Sequence, residues 1–158
     1  MRFVLAFLVF ASFAAAQTFD FPLASDTWSS GSNWWWSEGN TVYGDRDVTG
    51  PVTQAEVVLY LSGNGLTEGN TADLDFRLDG VTVGTLHITA EDGLGPITGS
   101  FSFDEIDSPS ELRYTMASDI CGGCGAINLK DALEVSTVTL STGTATDESN
   151  WSFLKSSY

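Results

Sequence analysis

The stretch Asp73-Leu74-Asp75-Phe76-Arg77-Leu78-Asp79-Gly80-Val81-Thr82-Val83-Gly84-Thr85-Leu86-His87-Ile88 decides the fold class. Leu74, Phe76 and Leu78 alternate with Asp73, Asp75 and Arg77, the period-2 pattern of a half-buried antiparallel strand. Asp79-Gly80 is a dipeptide suited to a two-residue type I′ turn, in which both residues need positive φ. Val81 to Ile88 is then the returning strand. Its apolar set changes parity, from Val81 and Val83 to Leu86 and Ile88, which predicts a β-bulge at Gly84-Thr85.

The same pattern extends in both directions. Ala55, Val57, Leu59 and Leu61 share a face within Val52 to Leu61. Phe101 and Phe103 alternate with Ser100, Ser102 and Asp104 in Ile97 to Ile106, and Leu112, Tyr114 and Met116 alternate with Glu111, Arg113 and Thr115. Ala132 to Ser141, Phe19 to Leu23 and the segment Trp28 to Trp36 add further strands, separated by Gly-, Asn- and Asp-rich turns. Eight or nine strands with little helix predict an all-β fold: one antiparallel two-sheet β-sandwich, jelly-roll-like. The strand pattern resembles that of secreted sandwiches such as carbohydrate-binding modules and adhesin domains, without a shared residue motif. It implies the architecture alone.

Residues 1–16 read as a secretory signal peptide: Met1-Arg2, the apolar run Phe3 to Ala16, and an Ala14-Ala15-Ala16 exit. The run is shorter than the roughly 20 residues of a membrane span. The expected divisions are therefore a leader at 1–16, a sandwich at 17–141 and a polar C-terminal tail at 142–158, with a secreted, extracellular product. Loss of Arg2 leaves five basic against 21 acidic side chains, a net charge of about −16. That balance argues against a duplex nucleic-acid binder, which needs clustered Lys and Arg. In an oxidising compartment Cys121-Gly122-Gly123-Cys124 reads as a local disulfide between Cys121 and Cys124. No helix pattern follows it, as a thioredoxin-type site requires. Asn150-Trp151-Ser152 matches the N-glycosylation acceptor at Asn150.

Chemistry-bearing residues are few. The single histidine, His87, lies mid-strand, and no GxSxG elbow exists, which disfavours nucleophilic catalysis. Acidic loops could hold a hard cation, and Asp45, Asp47, Glu68 and Asp92 are the candidates for calcium; a solvated acidic surface is the competing reading. The most specific feature is Trp28 with Asn33-Trp34-Trp35-Trp36. In a strand, Trp34 and Trp36 point to one side and Trp35 to the other, so at least one indole remains outside the core. Trp34 and Trp36, with Asn33, Glu38 and Asn40 for hydrogen bonds, form the candidate ligand site. The leading functional expectation is a non-catalytic secreted module that binds an extracellular glycan or surface polymer. A self-associating subunit of a coat, filament or matrix, docked through Trp151 to Tyr158, is the alternative, and a small glycoside-active hydrolase comes third.

Overall fold

The computed structural model describes residues 15–23, 25–29, 35–118, 126–129 and 136–142. In chain order the strands are β1 (Gln17–Asp20), β2 (Thr27–Trp28), β3 (Trp35–Trp36), β4 (Thr41–Asp45), β5 (Pro51–Leu61), β6 (Gly63–Asn64), β7 (Thr71–Leu78), β8 (Val81–Thr89), β9 (Gly95–Asp107), β10 (Glu111–Ser118), β11 (Ile127–Asn128) and β12 (Thr137–Ser141). One 3-10 turn, Ala90–Asp92, separates β8 from β9. The strands pair antiparallel throughout. They form a four-stranded sheet in the order β1-β12-β5-β9, a five-stranded sheet in the order β2-β4-β10-β7-β8, and a small sheet β3-β11-β6. The chain passes repeatedly from one large sheet to the other, as in a jelly roll. Residues 1–14 of the expected leader at 1–16, the Cys121–Cys124 pair, Asn150 and the tail beyond 142 lie outside the described residues.

The core is the sum of the inward parities. Val52, Ala55, Val57 and Leu59 of β5 and Val138 and Leu140 of β12 face Ala72, Leu74, Phe76 and Leu78 of β7 and Leu112, Tyr114 and Met116 of β10, nearly all fully buried. The outer face of the five-stranded sheet is polar and ion-paired. Arg77 and Arg113 stand directly opposite each other, a repulsive register that Asp75 and Glu111 offset at 3.2 and 3.0 Å.

The deciding hairpin forms as its sequence requires. Leu78 pairs with Val81, and Asp79 and Gly80 adopt φ of 45° and 80°. The bulge is one residue earlier than the parity change suggests: the register passes from Phe76↔Gly84 to Arg77↔Thr82, leaving Val83 as the extra residue. Val81 is 55% exposed rather than inward, because it closes the turn beyond the sandwich edge. Gly84 lies against the Phe101 ring, where a Cβ would sit 2.1 Å from Cγ. An aromatic of β9 thus seals the edge between the two sheets at a position where β8 carries no side chain.

Candidate functional site

Burial of the tryptophan segment reverses part of the expected site. Trp36 is fully buried, so it supplies no stacking surface; its indole packs edge-on against Trp28, with centroids 5.9 Å apart at 82°. Trp36 goes inward because it pairs with Ile127 of β11, itself fully buried, at the seam between the small sheet and the core. Period 2 then turns its neighbour outward, and Trp35 is 40% exposed. Asn33 and Trp34 lie outside the described residues.

Trp35 is held from below. Trp35, Asn128 and Gly63 form one row across β3, β11 and β6. The indole edge rests on Gly63, where a Cβ would meet Cη2 at 2.9 Å and the Asn128 Cβ at 3.0 Å. Ser62 donates to the Asn128 carbonyl and to its Oδ1, at 3.1 and 3.0 Å. Asn64 is fixed by donating to Thr89 O and accepting from Leu66 N, both at 2.9 Å. The result is an indole of defined position beside hydroxyl and amide groups. Gly63 is the residue that sequence reasoning missed: Ser62-Gly63-Asn64-Gly65 reads as a turn, whereas Gly63 pairs with Asn128 and its lack of a side chain admits the indole.

The remaining expected ligands have local duties. Asn40 Oδ1 accepts from Ser37 N at 2.8 Å, closing the turn between β3 and β4, and Glu38 is exposed within that turn. Asp45, Asp47 and Glu68 are exposed. Asp92 accepts from Thr89 N and Oγ1 at 2.6 and 3.0 Å, capping the 3-10 turn. Among the described residues no group of three or more His, Cys, Asp or Glu side chains is placed to hold a metal ion, so the four calcium candidates are not brought together. His87 Nδ1 lies 2.6 Å from Asp73 Oδ1 on the outer face, and Ser118 donates to the other oxygen of Asp73 at 3.2 Å. The carboxylate, not the imidazole, is central there, unlike a nucleophile–base–orienter relay.

A second polar feature had no counterpart in the motif reading. Asp26 and Arg46 form an ion pair whose side chains are 1% and 10% exposed, with Nη2 2.9 Å from both carboxylate oxygens. Leu23 N donates to Asp26 at 2.6 Å, and the Arg46 guanidinium lies 5.1 Å from the centroid of the Phe21 ring. Gly44 admits the pair: a Cβ there would lie 2.1 Å from Asp26 Oδ1.

No family model and no curated protein matches the chain. Among solved structures, it is similar to a family 6 carbohydrate-binding module, at 17% identity over 84% of this chain and 89% of that one, with a TM-score of 0.44. It is also similar to carbohydrate-binding module CBM36 in complex with calcium and xylotriose, at 20% identity over 81% and 89%, TM-score 0.44. A third likeness is to the catalytic domain of a GH87 alpha-1,3-glucanase in complex with nigerose, at 11% identity over 81% of this chain and 28% of that one, TM-score 0.46. At these scores the likenesses carry no argument about ligand or activity. Among the described residues no helix is long and apolar enough to cross a membrane.

Proposed function

We propose that the protein is a secreted, non-catalytic β-sandwich that binds an extracellular carbohydrate, with Trp35 as the stacking surface. The observation that carries this reading is the 40% exposed indole seated on Gly63 beside Asn128 and Ser62. An aromatic face excludes water over the apolar side of a sugar ring, while neighbouring amides and hydroxyls fix its orientation. Seating matters because a side chain already held in place loses little freedom on binding. The apolar leader Phe3 to Ala16 supports secretion.

The test is binding of the mature protein to a broad glycan panel, with and without calcium, beside a Trp35→Ala variant whose folding is checked by circular dichroism. Saturable binding should weaken at least about tenfold in the folded variant, roughly 1.4 kcal/mol, as for a central aromatic anchor. Equal binding by wild type and Trp35→Ala would remove Trp35 from the site. A calcium requirement would assign a role to the acidic loops.

A further inference from the structure

We propose that the cleft at the end of the β2–β4 pairing is a second carbohydrate subsite, taking one neutral sugar ring through its hydroxyls. The inference rests on the reading of the protein as a glycan binder and adds a site separate from Trp35. The pairing of β2 with β4 ends at Thr27↔Tyr43. Beyond it Ser25–Asp26 and Gly44–Arg46 line a polar cleft of ≈270 Å³, with the Asp26 carboxylate lying against Gly44. Drug-sized ligands occupy about 300–1,000 Å³, so this cleft suits a single ring rather than a chain.

The cleft is built on a rigid base. Asp26 and Arg46 are at least nine-tenths buried, joined by two 2.9 Å contacts, and Arg46 Nη1 also donates to Asp45 O at 2.9 Å. Arg46 Nε is enclosed within this base, without a hydrogen-bond partner among the described residues. Tyr43 forms the side toward the sheet face, with the Arg113 guanidinium 4.7 Å from its ring centroid.

The lining selects the ligand class. Ser25 and Thr27 bring hydroxyls and Asp45 an exposed carboxylate, groups that exchange hydrogen bonds with sugar hydroxyls. The Arg46 charge is already matched by Asp26, so Asp45 leaves the cleft with excess negative charge, which disfavours carboxylated or sulfated sugars. A metal ion is equally disfavoured, because among the described residues no third acidic or imidazole ligand joins the two carboxylates.

The experiment follows backbone and indole N–H signals by NMR on the ¹⁵N-labelled protein during addition of cellohexaose, xylohexaose, laminarihexaose or hexagalacturonate. At least one neutral hexasaccharide should shift the Gly44 and Arg46 amides saturably. Those shifts should persist in Trp35→Ala and need at least tenfold more ligand in Asp45→Ala. Shifts at the Trp35 indole with none at Gly44 and Arg46 would overturn the subsite and leave the Trp35 reading standing. Shifts at the cleft alone would do the reverse. Silence at both positions overturns both, and tighter binding of hexagalacturonate than of every neutral chain overturns the ligand class.

Discussion

Tyr114 shows how much one residue's environment can be read from burial alone. Its phenol sits between Phe21 and Phe76, with ring centroids 4.9 and 5.5 Å away, and its hydroxyl has no hydrogen-bond partner among the described residues. Burial pushes its ionisation far above the ordinary tyrosine range. The folded state therefore holds this proton more tightly than the unfolded chain does. That contribution to stability is complete below the unfolded value of about 10 and is lost as pH rises beyond it. Urea unfolding between pH 7 and 11 should show a decline above pH 10 that Tyr114→Phe reduces. At neutral pH the substitution should change stability by no more than about 1 kcal/mol, because it removes an unpaired hydroxyl. Parallel decline of both proteins would show that Tyr114 is not responsible.

At the scale of an element, the β7–β8 hairpin joins turn chemistry to edge closure. Alternation and Asp79-Gly80 made this hairpin legible in the sequence, and the change of parity made its bulge legible to within one residue. The reason for glycine at 84 was not legible. It lies in Phe101, seventeen residues away, whose ring occupies the place of a Cβ. Gly99 approaches the same ring, and a Cβ at that position would lie 2.7 Å from Cζ. Gly84→Ala should therefore cost about 1–3 kcal/mol by overpacking, measured by thermal or urea unfolding. Combining it with Phe101→Leu should cost less than the sum of the two single changes, since both act on one contact. Strict additivity would refute the contact as the cause.

For the whole molecule, charge is the dominant long-range term. A formal charge of −15 on 158 residues produces self-repulsion in the compact state. Raising salt from about 0.01 to 0.15 M shortens the screening length from roughly 30 to 8 Å, so Tm should rise over that range. A falling Tm would mean that half-buried attractive pairs such as Arg113–Glu111 outweigh the repulsion. The enclosed Asp26–Arg46 pair is screened less and should respond least.

What the sequence determined by itself was the local and periodic content: β class, hairpin, inward sets and the overall acidic balance. These follow from period 2 and from turn residues, which act over a few positions. It also implied that adjacent tryptophans must divide between two sides. Tertiary structure alone decided which side was the core, since that depends on Ile127 pairing with Trp36 from ninety-one residues away. The same holds for Gly63 beneath Trp35, and for Asp26 finding Arg46 across the end of β2. Contacts between distant segments leave no periodic trace, because each needs only one residue of suitable size or charge at each end.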